Sequence, residues 1–143
     1  MLELMAMKYE FLDHTADVCI RVFGASFSEL LSNAADALMD LIVDRETVKL
    51  SEEIPFEVNG ETREELLVKM LGEILYLHQA DKLVFKDIEI RNVARNRVAG
   101  ILYGEVFDST RHELQLDIKA ATYHNLNIEK VNDKFKVDIV FDI

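Results

Sequence analysis

The chain has 143 residues, half of them hydrophobic and 30% charged, with 27 acids against 16 bases and a formal net charge of −11. That length and apolar content point to one domain with a full core and exclude a disordered chain; a single cysteine, Cys19, excludes an internal disulfide framework and a thiolate zinc site. No apolar run approaches the roughly 20 residues of a membrane span, the first residues lack a basic signal-peptide region, and the acidity argues against strong direct binding of nucleic acid, so the expected setting is the cytoplasm.

The charge is uneven. Residues 1–72 hold 15 acids and 6 bases, whereas residues 73–143 hold 12 and 10. The first half therefore favours cations or a basic protein surface. The one basic concentration is Lys86, Arg91, Arg95 and Arg97. It lacks interleaved aromatics and reads as a solvated hairpin end rather than a nucleic-acid contact.

In chain order, Tyr9 to Leu12 and Val18 to Phe23 alternate as short strands, the second closed by Gly24. Ser26-x-x-Glu29 is a capping box. The helix it opens carries Phe27, Leu30, Leu31, Ala34, Ala35, Leu38, Leu41 and Ile42 on one face, with Asp36 and Asp40 on the other. Asp44-Arg45 ends it. Val48 and Leu50 suggest a short strand, and Ile54 to Val58 another, which Pro55 marks as an edge or a strand start. After the Asn59-Gly60 turn, Thr62-x-x-Glu65 opens a second helix with Leu66, Leu67, Met70, Leu71, Ile74, Leu75 and His78 on one stripe. Gly72 interrupts that helix and leaves room for a close neighbour. His78 reads as a packed core histidine, and Cys19 as a small buried apolar group.

From Leu83 onward the pattern is strand. Val84 to Val93 and Val98 to Phe107 form a hairpin about Arg95-Asn96. Leu114 to Ala121, His124 to Val131 and Phe135 to Phe141 follow, the last two joined by an Asn132-Asp133 turn. The expected fold is α+β and two-layered: two helices packed on a mostly antiparallel or mixed sheet.

Three places offer chemistry. Asp13-His14-Thr15-Ala16-Asp17 interrupts two strand signals with oxygen donors and an imidazole; it is either a functional loop or a turn whose side chains bond their own backbone. Asp142, in the closing Phe141-Asp142-Ile143, points to the opposite face from Phe141. It joins Asp17 in an all-oxygen cation site if the two lie together, which suits Ca²⁺, Mg²⁺ or Mn²⁺ rather than zinc or copper; otherwise it is a solvated end. Thr122-Tyr123-His124 either supports a neighbouring site or fills a bend. The chain has no G-x-S-x-G, no glycine-rich phosphate loop and no His-Glu-x-x-His, so a self-contained nucleophilic or nucleotide-hydrolysing enzyme has little support.

Tyr9-Glu10-Phe11-Leu12-Asp13-His14-Thr15-Ala16-Asp17 resembles the N-terminal signature of the archease family, Lys119-Ala120-Ala121-Thr122-Tyr123-His124 its late strand motif, and Phe141-Asp142-Ile143 its ending. Ala121 departs from the larger β-branched residue usual there. The resemblance runs from about Lys8 to Ile143, making one domain of 1–143 with residues 1–7 as an N-terminal extension. It implies a non-catalytic protein that activates the GTP-dependent tRNA-splicing RNA ligase, the enzyme joining 2′,3′-cyclic-phosphate or 3′-phosphate ends to 5′-hydroxyl ends. Archeases speed formation of the ligase's histidine–GMP intermediate and keep it turning over. GTP and Mn²⁺ belong to the ligase. The family's own divalent-metal site maps onto Asp17, Asp142 and the main-chain or terminal oxygen of Ile143, flanked by Asp13 and His14, with Thr122 and His124 in support. Two alternatives compete: a stand-alone metal-dependent phosphohydrolase using Asp13, His14, Asp17 and Asp142, and a chaperone or adaptor for RNA or a modifying enzyme, using the Lys86–Arg97 hairpin as its basic face.

Overall fold

Both helices begin where their capping patterns predict. Ser26 Oγ accepts from Glu29 N at 3.1 Å, and Thr62 Oγ1 accepts from Glu65 N at 3.0 Å. Each satisfies one of the orphan amides of a first helical turn. The computed structural model describes residues 7–12 and 17–143. Helix α1 spans Phe27–Ile42 and α2 spans Arg63–Asp81. The described strands are β1 Tyr9–Leu12, β2 Val18–Gly24, β3 Glu52–Asn59, β4 Leu83–Ala94, β5 Arg97–Val106, β6 Ala120–Ala121, β7 Glu129–Val131 and β8 Lys134–Asp142.

The α+β class is as expected, but the strands divide between two sheets. One runs β1-β2-β8-β6, with β7 also pairing β8; the other runs β3-β5-β4. Every described ladder is antiparallel. The split arises because the β4–β5 hairpin takes β3 as its partner, while the last strand returns to β2. Pro55 sits in β3, an edge strand, where a missing N–H is tolerated.

Helix α1 touches β2 of the first sheet and β4 of the second. Its apolar face meets Ile20, Val22, Ile139 and Phe141 in a core that also takes Leu66, Met70 and Leu71 of α2. The opposite face is covered as well, which its polar residues did not suggest. Asp36 is 7% exposed. Arg45, from a short 3-10 turn at Arg45–Thr47, donates to Asp36 Oδ1 at 2.9 Å and to Asp40 Oδ1 at 2.6 Å. An unpaired carboxylate at that depth would be strongly unfavourable, so the pairing is what permits the burial. Burial opposes Arg45's charge, yet its bonds to Asp40 and Asp36 raise its pKa. The Tyr9 hydroxyl also donates to Asp40, and burial, followed by that bond, pushes it up to about 12.

Four local expectations change. Val48 and Leu50 form no strand; the chain there follows the 3-10 turn instead. Leu114 to Ala121 narrows to β6, because Gln115 N and Leu116 N donate to the carbonyls of Ile42 and Leu41 at 2.8 and 3.1 Å. Those are C-terminal carbonyls of α1, left without intrahelical partners, so this strap caps the helix instead of extending the sheet. His124 to Val131 narrows to β7, since Asn125 adopts a positive φ of 51° in a turn. His78 is half-buried, its Nδ1 donating to Leu83 O at 2.8 Å across the corner between α2 and β4.

The β4–β5 hairpin turns at Arg95-Asn96, as expected. Asn132 and Asp133, at φ 52° and 65°, make the turn between β7 and β8. Strand β4 bulges twice, beside the positions that pair with Gly104 and Gly100. A Cβ on Gly104 would lie 2.0 Å from Val84 O, so the close approach requires glycine there. Gly72 is the reverse case. Its place in the helix reads as room for a close neighbour, but nothing lies within 4 Å of its Cβ position. No described helix is long and apolar enough to cross a membrane.

Candidate functional site

The pairing of β2 with β8 decides where the acids point. Val18 lies opposite Phe141, Cys19 opposite Val140, Ile20 opposite Ile139 and Arg21 opposite Asp138. Residues directly opposite in a ladder share a face. Ile20, Val22, Val137 and Ile139 belong to the core with α1, so Cys19, Arg21, Asp138 and Val140 take the other face. The ladder ends at Val18 and Phe141, so Asp17 and Asp142 are the next residues of the two chains at that end of the sheet. Carboxylates brought close together repel each other, and a cation between them would reverse the sign. Ile143 follows, 48% exposed.

The end of β8 is held from its other side too. Lys119 N donates to Asp142 O at 2.8 Å. Thr122 donates twice to Val140 O, from its backbone N–H and from Oγ1, both at 3.0 Å. These bonds fix the strand that carries Asp142. Thr122 therefore supports this end of the sheet. His124 lies farther along the turn: its N–H donates to Thr122 Oγ1 at 3.3 Å, and its exposed ring accepts from Asn125 Nδ2 at 3.3 Å. Asp13 and His14 lie outside the described residues. Among the described residues, no three His, Cys, Asp or Glu side chains converge as a metal cluster. What the described chain offers is Asp17 and Asp142, each adjoining the last β2–β8 pair, with Ile143 following. That oxygen-only set fits a hard divalent cation.

The outer face beside this pair is already committed. Arg21 makes a two-bonded pair with Asp138 at 2.8 and 3.0 Å and lies 3.8 Å from Glu10. The bond to Arg21 holds Asp138 below the usual carboxylate range against its burial. Cys19 is 7% exposed; burial pushes its thiol up, and Asp138 adds to the shift. It packs as the small apolar group expected.

Two polar clusters escaped the sequence. One is the Arg45 pairing on α1. The other holds the strap that leads to β6. Glu105, 7% exposed, accepts from Lys49 N at 2.6 Å, from Arg111 at 2.5 Å and from His112 Nε2 at 3.0 Å. His112 Nδ1 accepts from Asp108 N, which places the ring proton on Nε2. The bonds from Arg111, overcoming burial, lower Glu105 to about 2. The only cue in sequence was an acid at a strand end followed by Arg111-His112.

Residues 9–143 match the model of the Archease protein family (MTH1598/TM1083). The protein archease of Methanopyrus kandleri is 36% identical over 140 residues, spanning 96% of this chain and 100% of that protein. The solution structure of Methanobacterium thermoautotrophicum protein 1598 shares the fold at a TM-score of 0.79 and 28% identity, over 95% of this chain and 99% of that one. The crystal structure of a Thermotoga maritima archease, described as a possible chaperone, aligns at a TM-score of 0.65 and 25% identity, over 92% and 94%. The likeness spans both the sequence and the folded chain almost end to end, and the chain belongs to the archease family.

Proposed function

We propose that the chain is a non-catalytic protein cofactor of the GTP-dependent tRNA-splicing RNA ligase, which joins 2′,3′-cyclic-phosphate or 3′-phosphate RNA ends to 5′-hydroxyl ends. It promotes guanylylation of the ligase and its multiple turnover by presenting a divalent cation at the acidic end of the first sheet. Family membership supports this reading, and the observation that supports the site is the β2–β8 register, whose last pair, Val18 with Phe141, adjoins Asp17 on one strand and Asp142 on the other. Asp17, Asp142 and an oxygen of Ile143 would hold the cation, with Asp13 and His14 flanking. When bound there, Ca²⁺, Mg²⁺ or Mn²⁺ supplies positive charge that a phosphate-handling partner can use. Lys119 and Thr122 keep β8, and with it Asp142, in place. GTP and the catalytic Mn²⁺ stay with the ligase, and the cytoplasm is the setting.

A protein partner also suits the description of the Thermotoga maritima relative as a possible chaperone. A phosphohydrolase would need a basic clamp beside the acids, and the nearby Arg21 is occupied by Asp138 and Glu10. The test is a ligase guanylylation assay with and without this protein, repeated with Asp17→Ala and Asp142→Asn. Stimulation by the native chain and its loss in folded variants is the expected result. Unchanged stimulation by both variants, or GTP turnover by the native chain alone with Mn²⁺, would overturn the proposal.

A further inference from the structure

The opposite end of the first sheet carries a different chemistry. Gly24 pairs with Phe135 there, six positions along β2 from the pair of Val18 with Phe141. At about 3.3 Å per residue this is roughly 20 Å from the acidic end. A cleft of about 410 Å³ opens beside it, lined by Phe27, Glu61, Arg63, Val93, Ala94 and Arg95.

The chain has seven arginines. Arg21, Arg45, Arg91, Arg97 and Arg111 each pair with a carboxylate. Among the described residues, Arg63 and Arg95 do not, although the chain has 27 acids to offer. Both line this one cleft. Arg63 is held by aromatic faces instead: its Cζ lies 5.4 Å from the Phe27 ring centroid and 5.1 Å from that of Phe135. Such stacking orients a guanidinium while leaving its in-plane N–H donors for a ligand.

The backbone adds to the same field. Phe27 and Arg63 are the first residues of α1 and α2, so both helix N-termini border the cleft. Their caps engage Glu29 and Leu30 in one helix and Glu65 and Leu66 in the other, and not the first two amides of either. Glu61 is the one acid among the lining residues. Two guanidinium forks and two positive helix ends suit a phosphate, with several oxygens to share, better than a single carboxylate. Val93 and Ala94 offer apolar surface for whatever carries the phosphate, and the volume exceeds that of a bare ion.

We propose that this cleft binds the phosphate group of a small phosphate ester of mononucleotide size, with Arg63 and Arg95 on the phosphate oxygens. The site is separate from the acidic end, so its occupancy does not depend on the cation proposed there.

The test is an amide-resolved NMR titration of the full chain with AMP, inorganic phosphate and adenosine at constant ionic strength. AMP should shift the amides of Phe27, Ser28, Arg63, Glu64 and Arg95 saturably, with a Kd at or below about 1 mM. Inorganic phosphate should move the same amides more weakly, and adenosine should not. Arg95→Ala should weaken AMP binding by about tenfold, as expected for a lost charged hydrogen bond. Arg63→Lys should weaken it by replacing the fork with a point charge, Glu61→Gln should tighten it, and Asp142→Asn should leave it unchanged. The proposal is overturned if AMP gives no saturable shift at these amides, if adenosine binds as well as AMP, or if Arg95→Ala and Glu61→Gln both leave the Kd unmoved. An acidic peptide that saturates these amides where AMP does not would also overturn it.

Discussion

Replacing Glu105 with Gln removes one charge at constant shape and tests what secures the strap between β5 and β6. The carboxylate accepts from Lys49 N, Arg111 and His112, so a neutral amide turns an NH₂ group toward donors that need an acceptor. Its pKa is lowered from 4.5 to about 2. A group lowered in the folded state contributes stability above its unfolded value and loses it as pH falls toward the folded one. The shift corresponds to at most about 3 kcal/mol at neutral pH. The Arg111 side chain is 37% exposed, and solvent screening there brings the expectation to about 2 kcal/mol. Scaled by an unfolding entropy of about 2.1 cal/mol/K per residue, this lowers the melting temperature by roughly 7 °C. Calorimetric melts of the native chain and Glu105→Gln should therefore separate at neutral pH and converge as pH falls from about 4.5 to about 2. Coincident melts at neutral pH, or a gap that persists at acid pH, would refute the electrostatic account of the clasp.

Gly72→Ala should stabilise the protein by about 0.5–1 kcal/mol, because the site is exposed mid-helix with open space for a methyl group; a rise of roughly 2–3 °C in the same melts checks it. Gly104→Ala should destabilise by about 2–3 kcal/mol, since its Cβ would meet Val84 O at 2.0 Å and the strands must part; a native-like denaturation midpoint would count against the packing of β4 on β5. Calcium at about 100 times its Kd should raise the stability of the native chain by about 2.7 kcal/mol and that of Asp142→Asn by far less. An equal calcium response in both proteins, read by thermal shift, would overturn the assignment of Asp142 to the proposed cation site.

Much of the fold is written locally, and those parts read directly. Ser26-x-x-Glu29 and Thr62-x-x-Glu65 place both helix starts, and the Arg95-Asn96 and Asn132-Asp133 turns place two hairpins. What depends on distant partners does not read this way. Strand character in Leu114 to Ala121 is real as a pattern, but the donors of Gln115 and Leu116 are drawn to the end of α1. Asp36 looks solvent-facing on a helical wheel, yet a second sheet covers that face and Arg45, nine residues on, neutralises it. Two sheets rather than one follow from the same limit, since alternation along a strand does not name its neighbour. At the acidic end, alternation sets Asp142 on the opposite face of β8 from Phe141; only the ladder with β2 brings the chain at Asp17 to the same end of the sheet. The Arg63 and Arg95 cleft had no motif, because its residues come from the starts of two helices and the tip of one hairpin.

The placement of the acidic pair matters as much as its composition. Two carboxylates on a loose terminus relieve their repulsion by moving apart, and then show little preference for a cation. Strand β8 has no such freedom near Asp142. It pairs with β2 along Val18 to Gly24, with β6 at Phe141 and Asp142, and through Thr122 at Val140. Lys119 N further fixes the carbonyl of Asp142 itself. The segment that brings Lys119 there is secured at two points upstream, on the C-terminal carbonyls of α1 and on Glu105. Loosening that segment at Glu105 should therefore weaken the calcium binding proposed for Asp142 without touching either proposed carboxylate ligand. A Glu105→Gln protein that stays folded at low temperature yet keeps native calcium affinity would show that β2 alone positions Asp142.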